Sequence, residues 1–411
     1  MKHKEILEIK KRYKKDQCTF SRVTGCYVNG EKQIVTTYRE TFLNLEESEL
    51  HKYLDIAKKV LSGALGNNLL DLEFHRGEGY HNEKQTFLMQ LKSSELKDDA
   101  LLEEFYQSVI AHYGHTGNFL ILLYHDAYDV MKRTSDNLKL DESEETYAYV
   151  LCAICPVTLS EPGLHYKDEE KKMRVRDRDW MVEAPAQGFL FPAFTDRSSN
   201  VHEVLYYTKN PKDPQPEIME EVLGCDSKQT TALQREMLHS VIQEVVGSEE
   251  EAENLLLEVQ DSLQGFLEEY ETTHGSAEEE PLVLTHDHFQ DLLSDAGASE
   301  ETVEKLGEIY GEYFGKELPF AQRMLDQKLV KKHEERKKEQ DLRHQVETLR
   351  TKLEETAALK EDPAAEFAVN LQVKPEKVAQ IKAQIIDGQR CIVIPLMEDE
   401  QAAVNGEPNL L

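Results

Sequence analysis

Apolar positions set the element reading of this chain. Leu50, Tyr53, Leu54, Ala57, Val60, Leu61, Ala64 and Leu65 recur at spacings of three and four, which predicts a helix over 50–65. Gly66-Asn67-Asn68 ends it. Leu102, Phe105, Tyr106, Val109 and Ile110 predict a second helix over 101–113. Residues 18–28 and 33–42 flank Asn29-Gly30, a hairpin signal because both central positions of a two-residue turn take positive φ. A short strand is expected over 86–91, and the run NFLILLY at 118–124 reads as a buried strand. Strands over 147–159, 188–194 and 201–208 follow, with loops rather than crossover helices between them. That order favours neighbouring antiparallel strands over a doubly wound parallel sheet. The closely spaced prolines of 210–216 close the region.

The period then turns helical. Leu233, Met237, Leu238, Val241, Ile242 and Val245 mark one amphipathic helix, and Leu255, Leu256, Val259, Leu263, Phe266, Leu267 and Tyr270 another. Residues 273–281 form an acidic linker. Thr285 and Ser299 are N-caps for two further helices, the second with Thr302 where a capping box wants Glu or Gln. A charged helix runs over 319–360. Leu342, Val346, Leu349 and Leu353 give it a heptad seam of about two heptads, short of a full coiled-coil signature. Last come a strand over 367–373, a hairpin of 381–386 and 390–396 around Asp387-Gly388, and a loose tail. The expected fold is α+β. An antiparallel sheet with packed helices occupies 1–230, a helical region 231–318, the charged helix 319–360, and a small C-terminal β unit 361–411.

Charge narrows the partners. Over 411 residues the net charge is −31, which opposes non-specific binding to nucleic acid or an anionic membrane. Residues 217–280 alone carry 18 acidic side chains against Lys228 and Arg235. The start is basic, with seven Lys/Arg against three acids over 1–16. Its Ile6, Leu7, Ile9 and Tyr13 fit a short amphipathic helix docked on the body, and no apolar segment follows to make an export signal. No run of 18 apolar residues is present, and six cysteines do not make a disulfide scaffold. A cytoplasmic protein with reduced thiols is the expectation.

Few motifs carry chemistry. Cys152 and Cys155 form a Cys-x-x-Cys pair inside YAYVLCAICPVTL. On a strand, residues three apart face opposite sides of the sheet, and Pro156 discourages the helix start that activates redox thiols. Buried structural thiols are therefore expected, and no residues are assigned to a metal. His125 and Asp126 end the NFLILLY strand, a place where catalytic groups are often held, and with His202 they are the weak catalytic candidates. Arg174 and Arg178 lie in RVRDRDW, and Asp196-Arg197 lie beyond the strand GFLFPAF. Together they are the candidates for an anionic-ligand pocket with Trp180 as a wall, against the plainer reading of a surface charge ladder. His286-x-His288 reads as a helix start, since residues two apart share no helix face. No phosphate loop, dinucleotide fingerprint, Gly-x-Ser-x-Gly or His-Glu-x-x-His is present.

The chain resembles a bacterial family, domain-of-unknown-function family 4317. The resemblance is carried by CTFSRVTGCYVNGEK, GNFLILLYHDAYDV, TSDNLKLDESEETYAYVLCAICPVTLSEPGL, GFLFPAFTDRSSNVHEVLYYTKN and, near the end, IIDGQRCIVI. It implies one homologous full-length protein in a bacterial cytosol. It supplies no activity, cofactor or catalytic residue, and it is weakest over 327–360. The expected function is a non-enzymatic binding or interaction protein that meets a protein partner through the charged helix. The competing expectation is an enzyme or small-ligand domain with its pocket in the first 230 residues.

Overall fold

A computed structural model of the protein describes residues 1–75, 82–133, 139–274, 282–315, 317–358, 371–372, 379–395, 402–404 and 407–409. The chain divides into two compact units, Met1–His333 and Glu334–Leu411. The boundaries read from the sequence near 230 and 318 fall inside the first unit.

The first unit is α+β, as expected. The sheet contains β1 (Phe20–Val28), β2 (Ile34–Thr41), β3 (Leu69–Glu73), β4 (Asn118–Arg133), β5 (Lys139–Leu159), β8 (Trp180–Val182), β9 (Gln187–Phe191) and β12 (Glu203–Thr208). The order is β2-β1-β4-β5-β9-β12-β3, with β8 on β5, and every pairing is antiparallel. Two small hairpins, β6 (Leu164–Lys167) with β7 (Lys172–Val175) and β10 (Ala193–Thr195) with β11 (Ser198–Asn200), branch from the connections.

Both faces of the sheet are covered, which is why β4 is apolar at consecutive positions instead of alternating. On one face Ile121, Leu123, Cys152 and Ile154 pack with α3 (Glu83–Ser93), α4 (Asp99–His112) and the π-helical turn Ile218–Val222. On the other, Leu122, Tyr124, Leu151 and Ala153 pack with α1 (His3–Arg12) and α2 (Glu47–Val60). The basic N-terminal segment thus docks as an amphipathic helix through Ile6 and Ile9, followed by Tyr13.

Two local readings are corrected. Residues 86–91 are helical, inside α3, where the Asn82 side chain caps the helix by accepting from Gln85 N. Asn29-Gly30 does mark the first hairpin, but the connection is longer than two residues. Asn29 Oδ1 accepts from the backbone N of Glu31 and Gln33, and positive φ falls on Lys32. Side-chain capping of the loop replaces the two-residue turn.

The helical region has its own core, formed by α5 (Thr231–Val246), α6 (Glu249–His274), α7 (His286–Asp295) and α8 (Glu300–Phe314). Thr285 and Ser299 cap α7 and α8, and His286 and His288 stand at a helix start. Thr302 Oγ1 lies 2.8 Å from Ser299 Oγ, so it supplies a hydroxyl where a capping box has a carboxylate. A short α9 (Ala321–Met324) leads into α10 (Gln327–Ala358). Most of the linker at 273–281 lies outside the described residues.

In the second unit, the strands Lys382–Ile386 and Gln389–Val393 form the expected hairpin, with positive φ at both Asp387 and Gly388. Of the strand expected over 367–373, only Leu371–Gln372 is described. It pairs with Ala402–Val404, which pairs with Glu407–Asn409, so part of the tail read as loose is strand.

Candidate functional site

Cys152 and Cys155 lie on β5 opposite Leu123 and Leu120 of β4 and belong to different layers of the core. Burial pushes the Cys155 thiol up to about 12 and the Cys152 thiol well above its ordinary value. Neither is a thiolate nucleophile near neutral pH.

The same alternation separates His125 from Asp126. His125 Nδ1 lies 2.7 Å from Ser21 Oγ, and its charge neighbours are Glu95, Lys92 and Lys97 at the end of α3. Asp126 is buried in the opposite layer, where its Oδ2 accepts from the Tyr149 hydroxyl at 2.7 Å. Tyr149 OH is in turn 3.0 Å from Tyr13 OH, beneath α1. The two residues do not form a dyad, and Asp126, at 1% exposure, has no route to a substrate.

The anion-pocket candidates also divide. Arg174, on β7, is exposed and donates to Glu170 at 2.6 and 2.8 Å. Arg178 Nε donates to the Ser160 carbonyl at 2.8 Å. Trp180 is exposed on β8, so it walls nothing. Asp196 and Arg197 form the two-residue turn between β10 and β11, both with positive φ. Their partners are on α1. Asp196 N donates to Glu5 Oε1 at 2.6 Å and Arg197 Nη1 to Glu8 Oε2 at 3.0 Å. This turn fastens the N-terminal helix. His202 is exposed, with Nδ1 3.4 Å from Gln85 Nε2.

None of these candidates lines a cleft of about 1260 Å³ between the sheet region and the helical region. That cleft is built by a short antiparallel bridge of Phe74 with Cys225. His75 N donates to Gly224 O and Asp226 N to Glu73 O, both at 3.0 Å, which sets His75 beside Asp226. Gly224 takes φ +69°, and a Cβ there would lie 2.7 Å from Lys84 Cβ, so the bridge needs glycine. His75 Nδ1 is 2.8 Å from Asp226 Oδ1, hydrogen-bond distance between ring and carboxylate. Lys84 and Lys228 share the lining with Glu73, Glu83, Glu220 and Glu317, and burial raises the Glu317 pKa. The arrangement can bind a ligand through hydrogen bonds and charge. It offers no nucleophile among the described residues, because Cys225 is buried with its thiol pKa raised and Ser227 Oγ donates to Glu220. Sequence reading missed His75 and Asp226 because they lie 151 positions apart and share no motif.

On α10 the expected seam is exposed. Leu342, Val346, Leu349 and Leu353 are 61, 64, 62 and 71% exposed. The positions flanking it are Arg343, Gln345, Arg350 and Lys352, with no acid among them. Arg343 pairs with Glu339 and Arg350 with Glu354 along the helix.

No helix among the described residues is long and apolar enough to cross a membrane. No curated protein and no solved structure matches the chain. One family model does, over residues 1–407, the charged helix included, and the chain therefore belongs to the family described as a domain of unknown function, DUF4317.

Proposed function

We propose that this protein is a non-enzymatic, protein-binding protein whose docking element is the seam of α10, and that the partner is an amphipathic helix with acidic flanks. The exposed stripe Leu342–Val346–Leu349–Leu353 carries this reading. Four large apolar side chains at heptad spacing gain about 1.5–3 kcal/mol each when a facing helix buries them. Charge selects the helix. Flanking positions of a coiled coil face the partner's flanks, so an antiparallel second copy would set Arg343 against Arg350 and a parallel one Arg343 against Lys338. The exposed pairs with Glu339 and Glu354 are worth only a few tenths of a kcal/mol and yield to a partner's carboxylates.

Two synthetic heptad peptides test this with the full chain. They share the same apolar positions and differ in carrying Glu or Lys at the flanks. Fluorescence anisotropy should show at least tenfold tighter binding of the Glu peptide, weakened by salt and lost in Leu342→Ala/Leu349→Ala. Equal binding of both peptides, or of neither, sinks the reading. So does a stable dimer in sedimentation equilibrium.

A second reading is a small-ligand site in this cleft, where Lys84 and Lys228 are the cations among five carboxylates and His75 offers a hydrogen-bonding nitrogen. Thermal shift with a panel of phosphate and carboxylate compounds would detect it. A stabilising compound whose effect survives Lys84→Ala/Lys228→Ala would place the site elsewhere.

A further inference from the structure

A second polar cluster lies where α10 begins. Glu258 and Asp261 are three residues apart on α6, so they share a face. His333, in the second turn of α10, points into that face. One ligand atom from each of the three lies within 4.8 Å of the others. His333 Nε2 is 3.4 Å from Glu258 Oε1. That is long for an N–H···O bond. It is the spacing of two atoms sharing one cation, since bonds of about 2.0–2.2 Å at a tetrahedral angle place ligands about 3.3–3.6 Å apart.

The imidazole gives independent support. His333 is 5% exposed, yet Nδ1 has no hydrogen-bond partner and Nε2 has only the long approach to Glu258. Buried polar groups are almost always satisfied, and Nε2, the nitrogen that faces Glu258, is the one a cation there would occupy. The surroundings also hold the ligands in place. Gln260 Oε1 accepts from Asp326 N at 2.7 Å, and its Nε2 donates to Met324 O at 3.3 Å, which fixes the turn leading into α10. Lys332 pairs with Glu253 one face further along α6.

We propose that Glu258, Asp261 and His333 bind one first-row divalent cation of the zinc or manganese type. One imidazole nitrogen and two carboxylates suit these ions better than magnesium or calcium, which prefer oxygen alone, or copper(I), which prefers sulfur. Three protein ligands leave a position for water. The cation's role is a clamp. It joins the first turns of α10 to α6 and offsets the acidic charge of that helix. Sequence spacing gave no sign of this set, because the histidine stands 72 positions after Asp261.

The test uses untagged full-length protein stripped with chelator and titrated with Zn²⁺ and with Mn²⁺ by calorimetry, alongside thermal melts. The expected result is one cation per chain, a melting temperature raised by that cation, and at least a tenfold loss of affinity in His333→Gln and in Glu258→Gln. Asp261→Asn, at a half-buried position, serves if His333→Gln fails to fold. It should melt like the parent in chelator and gain nothing from the cation. Absence of binding by the parent overturns the proposal. So does an affinity unchanged in Glu258→Gln and Asp261→Asn.

Discussion

At the scale of single residues, three groups give measurable consequences. Burial holds the His125 pKa below its ordinary 6.5, with Glu95 and Asp126 pushing it back up and Lys92 and Lys97 pushing it further down. Below about pH 6.5 the unfolded chain therefore takes up a proton that the folded protein resists. The stabilisation is complete above that pH and is lost as pH falls through the lowered value. Urea midpoints at about pH 8 and about pH 5 should converge in His125→Gln relative to the parent. Tyr149→Phe leaves the buried Asp126 carboxyl without its donor and should cost about 1–3 kcal/mol in denaturant unfolding. Iodoacetamide followed by mass spectrometry should find Cys152 and Cys155 unmodified until the protein is unfolded. The thiols were legible from sequence, because period-two alternation alone separates positions three apart. The role of Asp196 and Arg197 was not. Nothing in the order of residues says that Glu5 and Glu8, some 190 positions earlier, accept their hydrogen bonds.

At the scale of elements, helices with a full stripe and a stop signal were readable, and short apolar windows were not. In TFLMQL at 86–91 only Thr86 and Phe87 favour a strand, Leu88, Met89, Gln90 and Leu91 favour a helix, and the start signal sits outside the window, in the Asn82 cap. β9 shows a constraint of the opposite kind. A Cβ at Gly188 would lie 2.5 Å from the Cys152 carbonyl and 2.9 Å from Val60 Cγ1, so strand and helix α2 close on bare backbone there. Gly188→Ala should destabilise the protein by roughly 1–3 kcal/mol, seen as a lower urea midpoint. Along α10 the expectation reverses. Leu342→Ala or Leu353→Ala touches only solvent-facing positions and should change unfolding by less than about 0.5 kcal/mol.

At the scale of the whole molecule, the class and the antiparallel neighbours followed from strands joined without crossover helices. The division into units did not, because a composition shift near 230 marks a change of element type, and the contacts that fuse the helical region to the sheet are long-range. Thr231 at the start of α5, for instance, donates from its hydroxyl to the Gly66 carbonyl just before β3. A chain ending at His333 should retain one cooperative thermal transition within about 3 °C of the parent. Loss of the transition would show that the second unit contributes to the stability of the first.

A ribbon that is greasy on both sides has no built-in sense of which side is which. The strand β4 is such a ribbon over 119–124, and a one-residue slip against β5 would trade its two sides while burying the same amount of oil. Polar marks at its ends break the symmetry, Asn118 before it and His125 and Asp126 after it. After a slip, Asp126 would face the chamber that now receives His125 and would lose its tyrosine, and His125 would lose Ser21. A neighbouring pair that looked like a catalyst at the end of a strand works instead as a two-pin key, admitting one alignment of the sheet's central hairpin and rejecting the next.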